Sequence, residues 1–133
     1  MFKILIAEDD RELRQLFAHV LTKNGYTVLG VSNGEEALAA LEQSYYDLII
    51  SDIMMPRMNG LDATRAIRAM KRRDARVIPI IAMSANAFSD DIINGRLAGM
   101  NRHLAKPVDE DGMIRALREC IAENDTLKLS EDL

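Results

Sequence analysis

Residues 47–56 read Asp47-Leu48-Ile49-Ile50-Ser51-Asp52-Ile53-Met54-Met55-Pro56. Three consecutive large apolar side chains leave no face for water. They predict a strand covered on both sides, as strands of parallel sheets are. That strand is expected over 47–51 and runs straight into Asp52. Working outward, the same pattern recurs at 2–7, which meets Glu8-Asp9-Asp10, and at 77–83, which meets Ser84. Residues 26–31, with β-branched Thr27, Val28 and Val31, and the short run 103–105 bring the expected strands to five.

Amphipathic stretches fill the intervals. Leu13, Leu16, Phe17, Val20 and Leu21 fall on one helical face, and Asn24-Gly25 ends that helix. Ser32 or Asn33 caps a helix carrying Ala37, Leu38 and Leu41, and Asn59-Gly60 opens another through Leu61, Thr64, Ile67 and Met70. Phe88, Ile92, Ile93 and Leu97 mark a fourth, interrupted by Asn94 and Gly95, which costs it about 1 kcal/mol of propensity. Met113, Ile114, Leu117 and Ile121 mark the last. Strand and helix alternate five times. The expectation is therefore an α/β, doubly wound, five-stranded parallel sheet of order 2-1-3-4-5, with helices on both faces.

With 133 residues there is room for one domain, expected over 1–123, followed by a short polar tail at 124–133. A net charge of -4 argues against nucleic acid or an anionic membrane as the partner. The basic cluster Arg68, Lys71, Arg72, Arg73 and Arg76 reads as charge at a helix C-terminus, where the macrodipole favours it. The single cysteine, Cys120, fits a reducing compartment and is expected as a buried, inert thiol. No apolar run approaches the roughly 20 residues of a membrane span. Met1-Phe2-Lys3 opens no signal peptide. A cytoplasmic protein is expected.

In open parallel sheets ligands bind beyond the carboxyl ends of the strands. Those ends carry Glu8 and Asp9, Asp52, Ser84 and Lys106, from strands that neighbour one another in the expected order. Two carboxylates ~4 Å apart repel by roughly 4 kcal/mol at an effective dielectric near 20, so three of them need a cation or a proton. An all-oxygen set without His or Cys suits a hard divalent ion, with Mg²⁺ the best match. A cation, an ammonium and a hydroxyl around one aspartate suit phosphoryl transfer, with the aspartate as nucleophile. Taken singly, each residue has a plainer reading. Asp10 with Glu12 can be a helix cap, Ser84 a cap and Lys106-Pro107 a turn. Met54, Met55 and Met58 beside the site read as packing and loop cover.

These residues resemble the receiver domain of two-component response regulators, over about residues 2–122. The carriers are Ile4-Leu5-Ile6-Ala7-Glu8-Asp9-Asp10, the stretch 47–56 above, Asn59-Gly60, Ser84-Ala85 and Lys106-Pro107, and their intervals also suit the family. The resemblance implies a flavodoxin-like fold with Asp52 as phosphoacceptor. It implies Asp9 and Asp52 as direct Mg²⁺ ligands, Glu8 acting through water, and the backbone carbonyl of Met54 as a further ligand. It makes Ser84 and Lys106 the groups that meet the phosphoryl oxygens, with a cis Lys106–Pro107 peptide. Residues 79–87 and 99–107 are similar to receivers of hybrid sensor kinases, which pass phosphate to a histidine phosphotransfer domain.

Many receivers carry Tyr or Phe three residues before the lysine, as a switch. Here that residue is His103. Either it moves inward together with Ser84, as an imidazole that titrates near neutrality, or it is a half-exposed edge-strand residue on the partner surface. Expected partners are a histidine kinase, a histidine phosphotransfer domain or both, meeting the first helix and the loop after strand 5 at Arg11, Arg14, Gln15 and Val108. The chain itself is expected as a monomer or weak dimer, and as a signalling module and not an enzyme. Phosphorylation is expected to move the loop 85–88 and the fourth helix.

Three other classes compete. A flavin carrier wants a phosphate loop where Glu8-Asp9-Asp10 would repel one. An aspartate-nucleophile, Mg²⁺-dependent phosphatase wants a second Asp two residues past the nucleophile, where Met54 stands. An unphosphorylated interaction module has no use for the complete set Asp9, Asp52, Ser84 and Lys106.

Overall fold

The structure is a computed structural model. It describes residues 1–85 and 89–132, the side chains of Ser89 and of residues 125–132 excepted. Five short strands pair in parallel: β1 (Lys3–Ala7), β2 (Thr27–Val31), β3 (Leu48–Asp52), β4 (Ile80–Ser84) and β5 (Arg102–Ala105). Their order is β2-β1-β3-β4-β5, as the alternation of apolar runs predicts. Around them lie α1 (Arg11–Lys23), α2 (Gly34–Gln43), α3 (Gly60–Arg68), α4 (Arg73–Val77), α5 (Ser89–Ala98) and α6 (Glu110–Asp132).

Alternate side chains of a strand point to opposite faces, so each central strand feeds two cores. Ile4, Ile6, Leu48, Ile50, Ile81 and Met83 pack with Phe17 and Leu21 of α1 and with Met113, Leu117 and Cys120 of α6. Leu5, Ala7, Ile49, Ile80 and Ala82 pack with Ala37 and Leu41 of α2, Ile67 of α3 and Ala75 of α4. Both sides of β1, β3 and β4 are thereby sealed, which is why those runs are continuously apolar. Among the described residues no helix is long and apolar enough to cross a membrane.

The starts of α1, α2 and α3 are set by side-chain caps. The Asp10 carboxylate accepts from the N–H groups of Glu12 and Leu13, Asn33 from Glu36 N–H, and Asn59 from Asp62 N–H. Asn33, not Ser32, caps α2. Ser32, the residue before the cap, instead donates its N–H and hydroxyl to Glu36 Oε1, each at 2.7 Å, so the Glu36 side chain reaches back past the cap.

Several expectations change. Val77 is not in a strand. It ends α4, a single turn that the sequence reading did not include, and β4 begins only at Ile80 after Pro79. The basic cluster is not simply charge at one helix end. Arg68 reaches out of α3 to the carbonyls of Gly99 and Ala75 and to Asn101 Oδ1. Arg72, at the N-cap position of α4, pairs with Asp74 and donates to the carbonyl of Leu41. Leu16 lies at the margin of the α1 stripe and is half exposed.

On α5 the buried face is the reverse of the expected one. Gly95 and Ala98 face inward, while Ile92, Ile93 and Leu97 are exposed, Leu97 to 78%. The small residues allow close approach, with Met100 Sδ only 3.4 Å from where a Cβ on Gly95 would sit. Phe88, the loop residues 86–88 and nearly all of the tail expected at 124–133 lie outside the described residues or are described by backbone alone.

Between β3 and α3 the chain folds back so tightly that Gly60 N–H donates to Ile53 O at 2.9 Å, and a Cβ at position 60 would stand 2.2 Å from the Asp52 carbonyl oxygen. Backbone cannot yield there as a side-chain tip can. Gly60→Ala is expected to destabilise the protein by about 3 kcal/mol in urea denaturation. A midpoint within error of wild type would show that this turn opens freely.

Candidate functional site at the carboxyl edge of the sheet

Sheet register brings the acids together. β1 and β3 run with Ile6 beside Ile50 and Ala7 beside Ser51, so the next step sets Glu8 against Asp52. Carboxylate oxygens of Glu8, Asp9 and Asp52 all lie within 4.8 Å of one another. Glu8 and Asp52 are buried while Asp9 is exposed. β4 and β5 pair Ser84 with Ala105, and Lys106 N–H donates to Ser84 O at 2.8 Å, extending the ladder by one residue. That places the lysine over the acids. Its Nζ lies 2.6 Å from Glu8 Oε1 and 2.9 Å from Asp52 Oδ2. The Lys106–Pro107 peptide is cis.

Electrostatics at this edge are out of balance. Glu8 has no exposed surface, and burial, with Asp52 beside it, pushes its pKa from 4.5 up to about 7, although Lys106 pulls the other way. Burial also lowers the Lys106 pKa, but hydrogen bonds to Asp52 and Glu8 and their charges outweigh it, so the amine ends above its ordinary value. One ammonium faces three carboxylates. The shortfall of two charges is halved by a proton held on Glu8 and removed by a divalent cation. The donors are all oxygen, which fits the hard divalent class.

Ser84 and His103 meet on the other side of the sheet. His103 pairs with Ala82 across β4 and β5, so its ring shares a face with Ser84, and Nε2 lies 2.8 Å from Ser84 Oγ. The sequence reading named both residues but not this contact.

The family model described as the response regulator receiver domain matches residues 4–118. This chain belongs to that family. The receiver is 40% identical over 124 residues to transcription factor Skn7 of Saccharomyces cerevisiae, covering 90% of this chain but 19% of that protein. It is 36% identical to the sensory/regulatory protein RpfC of Xanthomonas campestris, covering 80% of this chain and 15% of the other. It thus spans only a small part of these relatives. Among solved structures, the receiver domain of a Pseudomonas aeruginosa sensor histidine kinase, with magnesium coordinated in its active-site cleft, superposes with a TM-score of 0.83. The two are 37% identical, over 91% of this chain and 98% of that one. Chemotaxis protein CheY4 of Vibrio cholerae gives 0.85 at 29% identity, over 90% and 98%. The acidic cluster of this receiver fits the family's Mg²⁺ site.

The receiver's remaining candidates separate cleanly. Asp10 is the α1 cap. Met54 exposes 76% of its surface, and Met58 packs on Gly34. Cys120 is buried, and burial raises its thiol pKa against the pull of Arg102. Arg14 does what the sequence did not show: its Nη1 donates to Glu8 O at 2.8 Å.

The proton on Glu8 makes metal-free stability depend on pH. Its folded pKa of about 7 lies above the ordinary 4.5, so between the two the folded protein keeps a proton that the unfolded chain has lost. The contribution of Glu8 to stability is full below about pH 4.5 and declines as pH rises through 7. Glu8→Gln is expected to remove about 2 kcal/mol of that decline in chelator-treated protein. A pH slope identical to wild type would place the proton elsewhere.

Proposed function

We propose that this receiver takes a phosphoryl group from a phosphohistidine onto Asp52 and uses it to alter the surface formed by β4, α5 and β5. The observation that carries the reading is the convergence of Lys106 and two further acids on the Asp52 carboxylate. An Asp52 oxygen attacks phosphorus, the P–N bond breaks, and the donor imidazole leaves, taking up a proton. Lys106, already paired to Asp52, turns its ammonium to the incoming oxygens, and Ser84 supplies its hydroxyl. Asp9, Asp52 and the Met54 carbonyl would hold Mg²⁺, with Glu8 acting through water. When bound there, the ion neutralises charge on the phosphoryl oxygens.

The partner is a histidine kinase or a histidine phosphotransfer domain. The likeness to RpfC and to a sensor kinase receiver favours relay to such a domain. Residues 1–123 form the receiver unit in this reading. The Ser84–His103 contact favours a switch role for His103, because drawing Ser84 toward a phosphoryl group alters the imidazole's partner.

Incubation with acetyl phosphate and Mg²⁺ is expected to label wild type and to leave Asp52→Asn unlabelled, with chelator abolishing the wild-type label. Label on the same site in the variant would overturn the assignment. In the same protein, beryllofluoride is expected to shift the His103 ring resonances, and an unchanged ring would remove it from the switch.

A further inference from the structure

We propose that Arg14 is a positioning residue for the acidic pair, and that Gly30 of β2 is the seat that lets it act. The inference rests on the Mg²⁺ reading above. β1 ends at Ala7, so the Glu8 peptide has left the regular ladder. Glu8 N–H still donates to Val31 O at 3.0 Å, and Arg14 Nη1 supplies the partner for the Glu8 carbonyl at 2.8 Å. That carbonyl lies in the same rigid plane as the Asp9 N–H. Fixing the plane therefore fixes where the chain sends both the Glu8 and the Asp9 side chains.

Arg14 reaches the plane from α1 by lying across β2. A Cβ on Gly30 would come 3.0 Å from Arg14 Cγ, 3.1 Å from Cδ and 3.7 Å from Nε, so the aliphatic stem occupies the space a side chain at position 30 would take. Gly30 has no positive φ to explain it. Its missing side chain is what the arginine uses. At the far side Glu36, held by Ser32, feels the charges of Arg14 and Arg57, which hold its pKa down after the Ser32 hydrogen bonds do. A guanidinium stays charged at every relevant pH and offers a planar set of donors, so it can hold the carbonyl and still face Glu36. Arg14 thus links the β1–α1 connection to the start of α2 through one side chain.

Calorimetric Mg²⁺ titration of the full chain tests this. Arg14→Ala is expected to weaken Mg²⁺ binding by about tenfold, the scale seen when groups supporting metal ligands are lost. Gly30→Ala is expected to do much the same although Arg14 is still present. Alanine is otherwise the better strand residue, so this variant should fold. Arg14→Lys, which keeps a donor, is expected to recover part of the loss. The Glu8 carbonyl ¹³C resonance should move in Arg14→Ala and Gly30→Ala. The acetyl phosphate labelling rate should need more Mg²⁺ for half-saturation yet reach the wild-type rate when saturated. Wild-type affinity in both Arg14→Ala and Gly30→Ala overturns the inference alone. So does a fall in the saturated rate with unchanged half-saturation. Absence of Mg²⁺ binding by wild type overturns the inference and the metal reading together.

Discussion

A lysine amine held 2.6 and 2.9 Å from two buried carboxylates is the contact around which this protein is arranged. Charges of like sign are costly at the ends of strands sealed on both faces, and each loss of water by Glu8 and Asp52 has to be offset by a partner. The sheet order supplies it. β1 and β3 are neighbours and deliver the acids, and β5 lies beyond β4, so that Lys106 extends over Asp52 from the far side.

Much of this was legible in the chain. Continuous apolar runs ending in Asp or Ser give buried parallel strands and the residues at their tips, because the same burial that demands Leu48-Ile49-Ile50 makes Asp52 the first place where polarity can return. Side-chain caps were readable as candidates at Asp10, at Ser32 or Asn33, and at Asn59, since their partners lie two or three residues away. What stayed hidden depends on distance in sequence. Arg68 finds Gly99 and Asn101 more than thirty residues on, and nothing local marks it as other than a solvated charge. α4 is one turn long, too short for a helical period to show. α5 misled through its composition: Ile92, Ile93 and Leu97 look like a core stripe, yet tight packing through Gly95 and Ala98 wins over apolar area.

The alternation of the sheet also separates two tasks. Glu8 and Asp52 share the parity of the strand positions that face α1 and α6, whereas Ser84 and His103 share that of the positions facing α2, α3 and α4, and His103 shares a cavity with Ile92 and Gly95 of α5. Charge is therefore gathered on one side of the sheet edge, and the Ser84 hydroxyl meets His103 on the other. The exposed apolar residues of α5 lie on that second side, adjoining the cavity of about 260 Å³ that His103, Ile92 and Met100 help to line.

The lysine and the first acid it binds are 98 residues apart. During synthesis a chain leaving the ribosome acquires Glu8, Asp9 and Asp52 well before Lys106 exists. Until the final strand docks, the nascent protein holds its acids without their counter-charge, and the edge that carries the chemistry is the last part of the sheet to become electrically complete. The charge balance of Glu8 and Asp52 is thereby tied to synthesis having passed β5.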